Sequence, residues 1–452
     1  MTPNRLKIKD VYIGSLDAKD DFKRNNKEFI ENFLLPKEFD VEEFLASDKV
    51  FIEGQKGTGK TALIYYSKSI IDSKQYPSDI LLFKTDFDDV KKGKIESQNN
   101  KIISIDRTSS LDESNFTYIW RLIFLSKILK LNEQYNYCIY DKTPELDQLT
   151  REVQKILKRE KKNPFKKFLG GIKLARFSTS YQGIDNSISL EFEIDDEIPE
   201  NLNEVIDDCM ELFKMINLNQ CSIQGYIFID ELEAYYENDL IFTRDLTLIR
   251  DLAFTVKEFS EITYGKTKNI KFVCAIRSEM IDSINRHISS KELNKSIYSF
   301  RHLLKWNYTN STAINHPIFQ IWLKRIKTAE SRNDILSLTD MEIFNKWFEP
   351  NYHDKNIVDH ILHHTWNKPR DIIRFMQCAK NVDGDSHKYN QTIFSNLQRE
   401  YSKESWKELS EELNANFTKK QIDEIRQLLA GFISKFITIN FCIKRELTSL
   451  NM

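Results

Sequence analysis

The chain has 452 residues, of which 40% are hydrophobic and 30% are charged, a composition typical of a folded globular protein. Its 66 basic and 68 acidic residues give a formal net charge of −2, which excludes the overall basic field of many nucleic-acid-binding proteins. The longest apolar-leaning run, from Leu429 to Ile443, is too short to cross a bilayer. Because this run is so short, we expect no membrane partner. The six cysteines form no C-x-x-C pair, so we expect a cytoplasmic protein with reduced thiols.

Residues 1–48 are predicted to form a lead-in that packs on the domain after it. Phe29, Ile30, Phe33 and Leu34 lie at the spacing of one helix face, which predicts a helix that ends before Pro36.

Residues 51–62 carry the clearest motif of the chain, Phe-Ile-Glu-Gly-Gln-Lys-Gly-Thr-Gly-Lys-Thr-Ala. From Gly54 to Thr61 it fits G-x-x-x-x-G-K-T, the phosphate-binding P-loop, between a short apolar strand and a helix that starts near Gly59. Glycines suit such a loop because the chain must curl tightly for its N–H groups to surround an anion. The motif predicts a nucleotide-binding site.

The motif also assigns roles within that site. Lys60 would reach the β- and γ-phosphates, and the Thr61 hydroxyl would ligate Mg²⁺. The N-terminus of the following helix favours the same anion. The base would lie between the lead-in and the core, where the sequence identifies no contact. The predicted nucleotide contacts are Gly54, Gln55, Lys56, Gly57, Thr58, Gly59, Lys60, Thr61 and Ala62.

Two apolar runs and a helix follow the P-loop helix. Residues 80–83 and 102–105 are predicted strands, and residues 115–131 are apolar at helical spacing. This spacing of Trp and Phe residues is typical of a core helix.

Residues 132–220 are interpreted as an insertion. Alternating runs at 172–181 and 188–194 predict a β-hairpin within it. The basic run from Lys158 to Lys167 is either a grip on the phosphate backbone of a nucleic acid or a solvated, mobile loop.

Residues 226–236 contain a second motif, in which four apolar residues precede Asp230 and Glu231. This is the Walker B pattern of hydrolytic P-loop proteins. Asp230 would hold a water of the Mg²⁺ ligated by Thr61, and Glu231 would polarise the attacking water. We expect this strand to be the neighbour of the strand before the P-loop, so that the two strand ends meet at one magnesium ion.

Arginines after the next predicted strand, residues 269–276, are candidates for the γ-phosphate. Arg277 follows this strand at the ligand side of an α/β sheet, where it either senses the γ-phosphate or forms a surface ion pair. Arg286 and Arg301 are candidates for an arginine finger that acts across a subunit interface.

From residue 311 onward the pattern is helical, with predicted helices at 317–330, 340–349, 356–366, 369–380 and 390–437. Pro369 suits the first position of a helix, which places Arg370 in the first turn. A cation is unfavourable at that end of the helix dipole, so we expect Arg370 to have a partner, either a phosphate or an acid such as Asp371.

With the P-loop, Asp230–Glu231, Arg277 and Pro369–Arg370 in chain order, the sequence resembles AAA+-type P-loop ATPases over roughly residues 45–380. It looks closest to the branch with the origin-recognition and STAND proteins. It is similar to a group of bacterial P-loop ATPases often encoded near phage-defence genes. One departure is Asn367, which stands where the G-x-P-R version of the sensor-2 motif has glycine. A second is that no arginine finger is clear.

The resemblance implies an α/β fold, an AAA+/ASCE-like parallel sheet flanked by helices. The implied division is a lead-in (1–48), a core (49–310), a helical lid (311–385) and a helical or winged-helix-like segment (386–452). By the same resemblance Lys60, Glu231, Arg277 and Arg370 serve ATP hydrolysis, and Thr61 and Asp230 hold Mg²⁺.

The leading hypothesis is an ATPase switch that controls oligomerisation or a partner effector protein, with antiphage defence as the implied setting. One alternative is an ATP-gated nucleic-acid-binding ATPase that uses the basic run. The other is a scaffold that binds nucleotide without turnover. A small-molecule kinase is less favoured, because an acid directly after Asp230 suits water activation.

Overall fold

The structure is a computed structural model. It describes residues 5–89, 91–93, 96, 116–158, 202–216, 223–234, 238–265, 270–288, 291–306, 313–333, 338–414 and 417–431. The predicted strand at 102–105, the basic run beyond Lys158 and the predicted hairpin at 172–194 lie outside these residues.

The centre of the molecule is a sheet of five parallel strands. In chain order they are β1 (Phe51–Gly54), β2 (Ser78–Leu82), β3 (Gly225–Leu232), β4 (Ile270–Arg277) and β5 (Arg301–Leu303). Four of them match predicted strands, whereas the three residues of β5 are too few to leave a pattern. β3 and β4 are almost completely buried, as parallel strands between two helical layers usually are.

The spatial order of the strands is β2-β3-β4-β1-β5. The expectation that the strand before the P-loop motif neighbours the Asp230 strand is therefore wrong, because β4 lies between them. Cys274 of β4 is aligned with Phe51 of β1 on one side and with Ile229 of β3 on the other. Since all strands are parallel, Gly54, Asp230 and Arg277 still end at one edge of the sheet.

Alternate residues of each strand enter different hydrophobic cores. On one face Ile52 and Phe228 pack with α1 (Ala18–Arg24), α2 (Asn26–Asn32), α3 (Val41–Ala46) and α4 (Lys60–Ser73). On the other face Phe51 and Ile227 pack with α6 (Thr117–Gln134), α8 (Leu202–Met215) and α9 (Asp239–Gly265). The remaining helices of this region are α5 (Phe83–Asp86), α7 (Pro144–Lys158), α10 (Ser278–His287) and α11 (Lys291–Ser299).

A separate hydrophobic core holds the C-terminal helices together. Its helices are α12 (Pro317–Asn333), α13 (Asp340–Trp347), α14 (Ile357–His364), α15 (Pro369–Asp383) and α16 (Gln391–Leu413), and α17 (Lys419–Gly431) follows. A two-stranded antiparallel ribbon joins α13 to α14, with β6 (Asn351–Tyr352) paired with β7 (Lys355–Asn356). The prediction of one helix over 390–437 is wrong, because α16 ends at Leu413 and a new helix starts at Lys419.

The lead-in divides between two of these cores. The 3₁₀ helix Ile8–Asp10 and the residues after it place Ile8, Val11 and Ile13 in the C-terminal core, whereas Phe22 and Phe29 pack on the sheet. A second 3₁₀ helix, Ala313–Asn315, precedes α12. Within the described ranges, no helix has both the length and the apolar character needed to cross a membrane.

Candidate functional site

A cavity of about 240 Å³ opens at the carboxyl edge of the sheet. The lead-in, the start of α4, the ends of β3 and β4, α12 and the start of α15 line it. Gly54, Gln55 and Thr58 belong to the adjoining loop but do not line the cavity. Ten of the predicted site residues do: Lys56, Gly57, Gly59, Lys60, Thr61, Ala62, Asp230, Glu231, Arg277 and Arg370.

The loop between β1 and α4 depends on glycine at two positions. Gly57 and Gly59 have φ angles of +83° and +89°, in the left-handed region that residues with a Cβ rarely adopt. A side chain at Gly57 would also lie 3.5 Å from the side chains of Lys368 and Arg370. The first turn of α15 thus rests on this loop, and the Arg370 N–H donates to the Gly57 carbonyl at 3.1 Å.

Lys60 is buried in this loop and its ammonium group is bound by backbone carbonyls. Its Nζ donates to the carbonyls of Gly54 at 2.7 Å and Gln55 at 2.8 Å, and no ion pair to it occurs among the described residues. Burial lowers the pKa of Lys60 to about 7, and the nearby charge of Arg277 adds to this effect. An anion bound at the loop would oppose both of these effects and raise the pKa of Lys60 again.

Asp230 lies beside Thr61 at the end of β3. Burial raises the pKa of Asp230 to about 6, against the opposing effect of hydrogen bonds from the Glu231 backbone and the Thr61 side chain. The side chain is only 4% exposed, and its Oδ2 has no hydrogen-bond partner in the described part of the chain. A buried carboxylate oxygen without a donor, next to a hydroxyl, fits a divalent cation of the Mg²⁺ type.

Glu231 points its carboxylate at two residues from other parts of the chain. It accepts hydrogen bonds from the Lys19 Nζ at 2.7 Å and from the Thr85 N–H at 2.9 Å. Its φ is +62°, a strained value for a residue with a long side chain, at an irregularity in the β3–β4 ladder. Lys19 and Thr85 therefore fix this carboxylate, and no local motif identified either residue.

Arg277 lines the cavity and is also part of an ion pair with Glu233. Its backbone is aligned with Gly54 across the β1–β4 pair. The structure thus shows an ion pair, the second predicted alternative, at a position that lines the cavity, and contact with a γ-phosphate stays a prediction. Of the two candidate arginine fingers, Arg286 is exposed, whereas Arg301 pairs with Glu53.

Arg370 has an acidic partner, but it is Glu408 on α16 and not the predicted Asp371. Asp371 instead accepts from Arg374 at 2.6 Å, and Arg374 also pairs with Glu408. Lys56, in the loop, lies 3.0 Å from Glu411 of the same helix. Acids of α16 therefore neutralise three cations beside the loop, which sequence spacing gave no reason to expect.

The turn before α15 accounts for the departure at Asn367. Asn367 has a φ of +53°. Glycine adopts this conformation most easily, and asparagine tolerates it better than most other residues.

The lead-in and α12 form one part of the cavity wall. This part includes Phe29, Phe33 and Ile321, together with the polar side chains of Asn32 and Arg325. The sequence identified none of these residues, because their side chains come from separate helices and follow no motif.

Comparison with known proteins gives one match. A family model described as the FunZ-associated C-terminal helical domain matches residues 317–410, which run from α12 into α16. The predicted boundary between residues 385 and 386 falls inside this range. Searches of curated proteins and of solved structures found no significant match.

Proposed function

We propose that the chain is a P-loop ATPase that binds Mg²⁺·ATP at the Gly54–Thr61 loop and hydrolyses it. The observation that supports this most is the meeting of Lys60, Thr61 and Asp230 in one cavity. Within the described residues Lys60 forms no ion pair and the Oδ2 of Asp230 has no donor, so each is suited to a ligand of opposite charge.

The residues beside the loop fit a magnesium ion. The Thr61 hydroxyl and the unpartnered Oδ2 of Asp230 would hold it, directly or through water. When bound, Mg²⁺ would neutralise charge on the phosphate oxygens. Above pH 6 Asp230 is charged, which is the form that a cation requires.

Glu231 would act as the general base for the attacking water. Thr85 and Lys19 occupy part of its carboxylate, which has about four acceptor positions and so keeps room for a water hydrogen. These contacts orient the carboxylate, while the positive φ of Glu231 turns it away from the line of the strand. Arg277 would contact the γ-phosphate after exchange of its bond to Glu233.

The C-terminal helices would make the ATPase a switch. Arg370 lies on the loop but forms an ion pair with Glu408 of α16. It can therefore contact a γ-phosphate only after this ion pair breaks. ATP and ADP would therefore favour different positions of α16, and this change would control oligomerisation or an effector protein. The phage-defence setting implied by the sequence resemblance is part of this proposal.

Two measurements on the purified full chain test the proposal. Phosphate release from Mg²⁺·ATP should exceed the rate without protein, and omission of Mg²⁺ should abolish it. The mass in solution, or the set of co-purifying proteins, should differ between ATP and ADP. Binding without phosphate release would support the scaffold alternative, and the absence of both would overturn the proposal.

A further inference from the structure

The walls that the lead-in, α12 and α15 contribute to the cavity combine apolar side chains with two polar ones, Asn32 and Arg325. Phe29 and Phe33 come from the lead-in, Ile321 from α12 and Ile373 from α15. Flat aromatic and aliphatic walls of this kind suit the faces of a heterocyclic ring. The polar groups then decide which ring edge fits.

Asn32 presents an acceptor that no described residue satisfies. The side chain is 2% exposed, and its Nδ2 donates to the Glu28 carbonyl at 2.9 Å within α2. This bond fixes which end of the amide is the nitrogen. The Oδ1 has no hydrogen-bond partner within the described ranges, and a buried acceptor in this condition is unfavourable unless a ligand supplies a donor.

Arg325 presents a donor from α12. One Nη donates to the Ile13 carbonyl, whereas the Nε has no partner among the residues that the structure describes. The same residues include no carboxylate in ion-pair contact with it. Burial lowers the pKa of Arg325 to about 10, so the guanidinium keeps its charge at neutral pH.

On the basis of the ATP-binding function proposed above, we propose that Asn32 selects adenine over guanine and that Arg325 binds the ring nitrogen beside the amino group. Adenine carries an N6 amino donor next to a ring-nitrogen acceptor, at N1 on one edge and N7 on the other. The amino group would donate to the Asn32 Oδ1, and Arg325 would donate to the adjacent ring nitrogen. Guanine carries the O6 acceptor where adenine has the amino donor. Its O6 would face the Asn32 Oδ1, and two acceptors form no hydrogen bond.

The test compares ATP, GTP and purine riboside triphosphate, which is ATP without the amino group. Equilibrium binding is measured with Mg²⁺ for the wild type, for Asn32→Leu and for Asn26→Leu, an exposed asparagine on the same helix. In the wild type, ATP should bind roughly tenfold more tightly than purine riboside triphosphate. Asn32→Leu should remove this ratio, and Asn26→Leu should keep it.

The ratio between two nucleotides does not depend on how much of a variant is folded, so partial misfolding does not imitate the result. Arg325→Met should weaken ATP binding by about tenfold. If the wild type binds ATP and purine riboside triphosphate equally, or if Asn32→Leu keeps the wild-type ratio, the base-selection inference is wrong while the ATPase proposal stands. If the wild type binds none of the three, the proposed function itself is wrong.

Discussion

The two sides of the loop differ in how their charges are balanced. On the strand side, which we define as Lys60, Thr61, Asp230 and Glu231, Glu231 pairs with Lys19. Within the part of the chain that the structure describes, Lys60 forms no ion pair and Asp230 has an unpartnered oxygen. On the helix side, Lys56, Arg370 and Arg374 all pair with acids of α16. The strand side is therefore prepared for a ligand, whereas the helix side is already satisfied by the protein itself.

In the proposed function, this difference separates nucleotide binding from its control. Burial shifts the pKa values of Lys60 and Asp230 toward their neutral forms, down to about 7 and up to about 6, and a bound metal–phosphate would favour the charged forms again. The helix-side cations gain little from a phosphate unless Glu408 and Glu411 are displaced. Substitutions on the strand side should therefore abolish activity, whereas substitutions on the helix side should alter it by a smaller factor.

The largest effect is expected for Glu231→Gln, which keeps the shape of the side chain but removes its basicity. Phosphate release should fall by at least about 100-fold, because a general base contributes this much to a rate. ATP affinity should change little, since Lys60 and the loop are intact. Glu258→Gln is the matched control, because Glu258 pairs with Arg121 away from the cavity. Unchanged phosphate release in Glu231→Gln would assign the base to another residue.

Asp230→Asn should increase stability and weaken metal binding. The raised pKa of Asp230 means that the folded protein carries an unfavourable buried charge above about pH 6, and this penalty disappears as the pH falls toward 4. The variant should therefore melt roughly 2–4 °C higher at pH 7.5, with the gain lost near pH 4.5. The dependence of ATP affinity on Mg²⁺ should be lost at pH 7.5.

Thermal melts across pH and nucleotide titrations with and without Mg²⁺ measure both effects. Asp86→Asn is the control, because burial also raises the pKa of Asp86 to about 6, but Asp86 does not line the cavity. It should leave the Mg²⁺ dependence unchanged. A wild-type Mg²⁺ dependence in Asp230→Asn would place the metal elsewhere.

The smallest effect is expected on the helix side. Glu408→Gln removes the acid that holds Arg370 and Arg374, so ATP affinity should rise by about threefold. Glu404→Gln is the control on the same helix, because Glu404 pairs with Lys407 of its own helix. Titration with a fluorescent ATP analogue measures the affinities. Weaker binding in Glu408→Gln would mean that α16 supports the site rather than competing with it.

Local patterns predicted the parts of the site that are continuous in the chain. The loop from Gly54 to Thr61 carries its glycines, lysine and threonine within eight residues, and the apolar run before Asp230 is long enough to mark a buried strand. Gly57, Gly59, Lys60, Thr61 and Asp230 do meet in one cavity. The FunZ-associated match supports a helical C-terminal region without assigning it a function.

Long-range packing determines the parts of the site and of the sheet that local patterns did not predict. Lys19, Asn32, Arg325 and Glu408 come from four helices, and each is an ordinary polar residue in its local sequence. The insertion of β4 between β1 and β3 depends on how the sheet is assembled, which strand patterns alone do not encode. The partner of Arg370 could not be predicted either, because Glu408 is 38 residues away in the sequence.

The most direct test of the central claim is a calorimetric titration of Mg²⁺·ATP into the wild type and into Lys60→Met. The wild type should bind one ATP per chain, and Lys60→Met, which removes the buried cation but keeps an apolar side chain of similar length, should show no measurable binding. No binding by the wild type, or equal binding by Lys60→Met, would contradict the assignment of this loop as the phosphate site.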